Sequence, residues 1–178
     1  MKKTWLIFFL VFSTLFAWSQ ENEKDSHHDF KHHRIAYGLG NSHIPKGQNS
    51  AGGTFKLFIP TWSLEYEYWF NHNWGVGLHS DLEFMTYVIE EHDGSVLERE
   101  FPLMFTLIGA RRIKKGLIFY AGPGIELEKH KNLFVLQLGL AYEFELPNNW
   151  DLSPSYVYTG KEDVYNTYTF LLSVGKHF

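Results

Sequence analysis

Apolar and polar residues alternate with period two along most of the chain. From Trp62 to Phe70, Trp62, Leu64, Tyr66, Tyr68 and Phe70 share one face, and Ser63, Glu65 and Glu67 the other. The clearest run puts Phe134, Leu136, Leu138, Leu140, Tyr142 and Phe144 opposite Val135, Gln137, Gly139, Ala141, Glu143 and Glu145. The same pattern marks Trp74–Phe84, Phe101–Leu107, Phe119–Leu127, Trp150–Tyr158 and Tyr168–Phe178, with a weaker first run from Arg34 to about Ile44. Period two predicts strands with one apolar and one polar face. The count is eight, and no amphipathic helical segment has comparable strength. Several runs reach roughly 9–11 residues, the length that crosses a bilayer when tilted.

The connections alternate in length. Asn71–Asn73, Ile113–Lys115 and Pro147–Asn149 are short; Pro45–Phe55, Glu90–Val96 and Gly160–Asn166 are longer, and Lys129–Asn132 is brief but charged. Short turns at one end and longer loops at the other suit a membrane barrel with both termini on the turn side. The predicted fold is therefore all-β, an eight-stranded antiparallel transmembrane β-barrel. A soluble sandwich or ligand-binding barrel would have to hold nearly every bulky residue inside. It would also leave the many Gly, Ala and Ser of the other face outside. Small residues suit the inside of a narrow barrel better.

Composition adds three points. Aromatics are 18% of 178 residues while the mean hydropathy is only -0.24, as expected if bulky residues take every second position. Amphipathic rings at headgroup level would form two girdles, Trp69, Phe70, Trp74, Phe144 and Trp150 at the turns and Trp62, Tyr87, Tyr156 and Tyr158 toward the loops. Absence of Cys excludes disulfides, thiol catalysis and cysteine zinc sites. Residues 1–19 read as a secretory leader, with Lys2 and Lys3 before the apolar stretch Trp5–Phe16 and a small-x-small site at Ala17-Trp18-Ser19. Residues 20–33 read as a His-rich periplasmic lead-in and 34–178 as the barrel. Without the leader, 14 Lys+Arg face 20 Asp+Glu, an acidic balance that argues against nucleic-acid partners.

Arg34 to Phe178 resembles the small eight-stranded outer-membrane barrels of Gram-negative envelopes, of the porin-family or OmpA-like membrane-domain type. The specific part is the end, Phe170-Leu-Leu-Ser-Val-Gly-Lys-His-Phe178: an alternating terminal strand with a final aromatic. The resemblance implies an outer-membrane location, contact with outer-membrane lipid, and Phe178 as the insertion signal read by the barrel-assembly machinery. Lys176 departs from the usual apolar outward position, and it can snorkel to the interface. The fold hosts anchors, adhesins, enzymes and narrow channels alike, so function has to come from the site.

The polar face is the candidate site. Alternation points Glu65, Glu67, Asp81, Glu83, Glu100, Glu126, Glu128, Glu143, Glu145 and Asp151 inward, against Arg34, His79 and His177. So many carboxylates in a narrow lumen need cations. Lys46, Lys56, Arg99, Arg111, Arg112, Lys129 and Lys131 could reach in from the loops and rims. Alternatively some carboxyls are protonated, or a small cation or divalent metal binds, with His79, Asp81 and Glu83 as candidate ligands. His27, His28, His32 and His33 form a second candidate metal tract. No other cofactor is expected. The predicted function is a structural or binding role, with an acidic lumen that binds or passes small cations; a narrow cation-selective porin is the alternative. Lipid A modification is disfavoured: His79 and Ser80 are adjacent and so face opposite sides, and no nucleophile–base–acid set assembles.

Overall fold

A computed structural model describes residues 30–48, 54–90, 96–162 and 164–178. Residues Lys31–Phe178 form one compact unit. Its strands are β1 (His33–Gln48), β2 (Thr54–Trp69), β3 (Trp74–Glu83), β4 (Thr86–Glu90), β5 (Val96–Glu100), β6 (Leu103–Lys114), β7 (Leu117–Leu127), β8 (Leu133–Tyr142), β9 (Phe144–Leu146), β10 (Trp150–Lys161) and β11 (Tyr165–His177). They make eight staves, because β3 continues into β4, β5 into β6 and β8 into β9. Each stave pairs antiparallel with its chain neighbours. β11 then pairs with β1 from Arg34↔His177 to His43↔Tyr168, which closes the sheet into a barrel.

Burial follows the alternation. Along β8, Phe134, Leu136 and Leu138 are 56%, 48% and 39% exposed, while Val135 and Gln137 are buried. Ile35, Leu64, Leu78, Leu107, Phe170 and Leu172 are likewise exposed on other staves. Apolar surface on this scale has no place against water. It fits hydrocarbon, and closure leaves no unpaired strand edge within the wall. The barrel wall faces lipid.

Small residues let the narrow interior fill. An added Cβ on Gly122 would sit 1.8 Å from the Leu107 carbonyl oxygen, so β6 and β7 meet this closely only because position 122 is glycine. Pro123 follows and donates no amide. Toward β6 neither residue is paired, and a second irregularity falls between Arg112 and Lys114, while both pair with β8 as Gly122↔Gln137 and Pro123↔Leu136.

The loop end departs from a simple tube. β3 breaks at Phe84–Met85, and β5 meets β6 at Phe101–Pro102, where Phe101 takes φ 46°. These two bends turn the β4–β5 hairpin across the mouth. Its β4 strand pairs with the far end of β1, Gly47↔Ile89 and Gln48↔Val88. Beneath it lies an apolar plug of Ile44, Ile59, Ile89, Leu97, Leu133 and Val164, with Tyr87 and Tyr165. The plug revises two expectations. Pro45–Phe55 and Gly160–Asn166 are not wholly loops, since β1, β2, β10 and β11 extend into them. Tyr87 is 4% exposed inside the mouth rather than part of a lipid-facing girdle.

Trp69 is also inside, 2% exposed, and donates its indole N–H to Glu67 Oε2 at 2.9 Å. Phe70, Phe144, Trp150, Trp62 and Tyr156 do face outward and are exposed. At the turn end His32 and His33 belong to the barrel. The His32 ring nitrogen Nδ1 lies 2.8 Å from the Trp69 carbonyl oxygen, and His33 stacks on Phe178 at 5.5 Å. Phe178 also exchanges backbone hydrogen bonds with His33, so the final residue completes the β11–β1 seam. His27 and His28, like the leader, lie outside the described residues.

Candidate functional site

Inward positions of neighbouring strands stack their charged groups into two layers. On the turn side, Arg34 enters from β1. It meets Asp151 on β10 through Nε and Nη2, at 3.0 and 2.8 Å. Its Nη1 donates to Glu65 and Glu67 on β2, both at 3.0 Å. The register makes this possible: Arg34 pairs with Glu67 on β2 and with His177 on β11, and Asp151 pairs with Gly175 on β11. Gly175 opens the gap, since a Cβ there would come within 2.2 Å of Asp151. Arg112 enters from the end of β6, lies over the Trp69 ring at 4.9 Å and holds both oxygens of Glu143 at 3.1 Å. His177 Nε2 is 3.3 Å from Asp151 and 3.7 Å from Glu143.

His79 on β3 faces the same layer. Its Nε2 is 3.5 Å from Glu67 Oε1, and its ring meets Tyr120 edge-on at 5.0 Å. A void of about 20 Å³ lies among Arg34, Glu65, Glu67, His79, Tyr120 and Ser155. That is room for a water molecule, not for a solute path. Above it Asp81 accepts from Gln137 at 2.9 Å.

On the loop side, Lys161 on β10 is 1% exposed. It is 3.1 Å from Glu83, 2.6 Å from Glu126 and 3.0 Å from the Tyr165 hydroxyl. Arg99, from β5, is fully buried and pairs with Glu126 and Glu128. It also donates to the Lys131 carbonyl at 2.5 Å. Tyr87, from β4, donates to Glu83 at 2.5 Å and lies 2.9 Å from Tyr165. Both strands of the hairpin are thus tied to the wall by buried polar contacts. Glu128 lies in the loop after β7. Burial alone would raise its pKa. The amide and ring of His130, with the amides of Glu100 and Lys131, outweigh that and hold it down at about 2. Its folded pKa is depressed, so its contribution is complete above the ordinary Glu value and fades as pH falls toward 2.

The sequence expectation therefore divides. Glu65, Glu67, Asp81, Glu83, Glu126 and Glu143 are buried in the lumen, and Glu128 lies at its mouth with a fully covered side chain. Two are misplaced: Glu100 is exposed beside Lys129, and Glu145 is exposed at the turn-end rim. Glu145 keeps the inward parity of Asp151 but lies at the rim, whereas Glu100 shares the outer face of β5 with Val96 and Glu98, because the bend at Phe101–Pro102 breaks the parity carried back from β6. His79, Asp81 and Glu83 do not converge. They occupy successive inward positions of one strand and take separate partners in Glu67, Gln137 and Lys161. Ligand atoms come within 4.8 Å of one another instead in Glu65–Glu67–His79 and in Glu143–Asp151–His177. An arginine already sits in each group. His79 and Ser80 face opposite sides, the first buried and the second half-buried on the outer wall.

Of the basic residues expected to reach in, Arg99 and Arg112 do. Lys56 and Arg111 stay exposed, as do Lys129 and Lys131, and the Lys46 side chain lies outside the described set. Lys161 was missed, although it continues the inward parity of Asp151, Ser153, Ser155 and Thr159.

No protein-family profile matches the chain, and no curated protein sequence does. Solved structures do match. Ail, the attachment invasion locus protein of Yersinia pestis, solved with the heparin analogue sucrose octasulfate, aligns at TM-score 0.55 and 20% identity over 84% of this chain and 100% of its own. The fold is that of a small outer-membrane β-barrel. Neisserial surface protein A aligns at TM-score 0.53 and 10% identity over 82% of this chain and 97% of its own. OprG of Pseudomonas aeruginosa aligns at TM-score 0.51 and 14% identity over 83% and 96%. At such identities the shared property is the barrel, and the lumen has to be read on its own residues.

Proposed function

We propose that this outer-membrane barrel is a sealed, non-catalytic scaffold with a structural or binding role, in which the charged lumen stabilises the wall instead of conducting. One observation carries the reading: an apolar plug and a buried ion network close the mouth together. Four strong cations, Arg34, Arg99, Arg112 and Lys161, are each bound to lumen carboxylates. They fill the volume that a narrow cation-selective pore would need. The β4–β5 hairpin and its neighbouring loops are then the surface offered outside the cell.

A second reading, small-cation binding in the lumen, is favoured by the charge count. The four cations face Glu65, Glu67, Asp81, Glu83, Glu126, Glu128, Glu143 and Asp151, leaving an excess of carboxylates beside His79 and His177. One refolded, chelator-washed sample tests both. The scaffold reading expects no unitary current steps in a planar bilayer and no stoichiometric metal after reloading with divalent ions. Retention of about one ion per barrel with no steps would favour the binding reading. Cation-selective steps would overturn the seal.

A further inference from the structure

The cations of the rim differ from those of the lumen. Every lumen cation is paired with a carboxylate. At the turn end Arg111, Lys114 and Lys115 are exposed and Lys176 is half-buried, and among the described residues none of the four has a carboxylate partner. Two of them are positioned by the sheet. Trp74 on β3 pairs in register with Arg111 on β6, and the guanidinium lies 4.9 Å from the Trp74 ring centre. Trp150 on β10 pairs in register with Lys176 on β11, whose ammonium lies 5.2 Å from the Trp150 ring centre. On the opposite flank of each cation the register places an apolar residue, Phe119 beside Arg111 and Ile35 beside Lys176. Lys176 spends one donor on the Asn148 carbonyl and keeps two, and among the described residues no acceptor meets the Arg111 guanidinium.

Each arrangement is an unpaired cation held on an indole, with apolar wall on either side, where lipid headgroups meet the barrel. Trp fixes the cation at the interface, and the remaining donors are free for a phosphate oxygen. The two seams lie across the barrel from each other, with four staves between them either way round. We propose that the turn-end rim carries two anionic-phospholipid sites, one centred on Arg111 and Trp74 and the other on Lys176 and Trp150. The partner is a glycerophospholipid with a net negative headgroup. Zwitterionic lipids offer the same phosphate together with an ammonium that these cations repel. The proposal rests on the barrel lying in a membrane, and it goes beyond the scaffold reading by naming what the wall binds.

The test is native mass spectrometry of the full barrel released from vesicles of phosphatidylethanolamine and phosphatidylglycerol in equal parts. The wild type should carry up to two phosphatidylglycerol molecules, with about fivefold preference per site, the effect of one interfacial basic charge. Arg111→Gln should remove one site, Lys176→Gln the other, and the double variant both. Lys56→Gln, at the loop end, should change nothing. Free inorganic phosphate at the same ionic strength should not displace the lipid. Displacement would mean a general anion site and overturn the lipid assignment. So would equal retention of the two lipids, or a double variant that binds like the wild type. A wild type that fails to enter the vesicles would instead refute the membrane placement, a separate outcome.

Discussion

Replacing Arg34 by Met is expected to destabilise the folded barrel by roughly 3–5 kcal/mol, the usual cost of removing one partner from a buried charge cluster. Arg34 is 3% exposed and contacts Asp151, Glu65 and Glu67 directly. Met fills a similar length but leaves three buried carboxylates without their cation. Removing the charges together should return much of the loss. Arg34→Met combined with Glu65→Gln and Asp151→Asn should therefore lie well above the single variant. Denaturant unfolding in lipid, followed by Trp fluorescence, measures both. A single variant within 1 kcal/mol of wild type would show that the cluster does not hold the wall.

Lys161→Met should cost a similar roughly 3–5 kcal/mol, with a different signature. Lys161 neutralises Glu83 and Glu126, and these are the acceptors that hold the hairpin through Tyr87 and Arg99. The amides of β4 and β5 should then exchange with deuterium faster than in the wild type. Arg34→Met should leave that exchange unchanged, because its cluster lies at the other end of the barrel. Unchanged hairpin exchange in Lys161→Met would mean that the plug is held by its apolar contacts alone.

Most of the wall was legible because period two is local. Each strand declares its own faces, and the eight staves and the β11–β1 seam follow from them. Trp69 could have been placed inside on the same rule, since Tyr68 and Phe70 alternate outward around it; the girdle rule says where aromatics sit along the axis, not which way they point. Lys161 was readable by continuing the parity of β10. Tyr87 was not, and Arg99 was readable only as one of several rim cations that could reach in. Their direction depends on the bends at Phe84–Met85 and Phe101–Pro102, and on pairing between β4 and the distant end of β1. The carboxylate excess was visible in the sequence. Arg34 was legible as a partner by parity, and Arg99 and Arg112 were among the rim cations expected to reach in, but alternation could not single out these two because they enter the lumen from strand ends.

A lipid-facing wall surrounds a filled interior that bulk water does not enter. The most direct measurement is paramagnetic quenching of methyl signals in lipid nanodiscs, with a water-soluble gadolinium chelate and, separately, an acyl-chain nitroxide. The nitroxide should quench Leu64, Leu107, Leu136, Leu138 and Leu172. Neither agent should reach Ile44, Ile59, Ile108, Val135 or Val157, all of them buried. Quenching of this second group by the chelate would mean an open aqueous lumen, and quenching of the first group by the chelate instead of the nitroxide would mean a barrel that does not lie in the membrane.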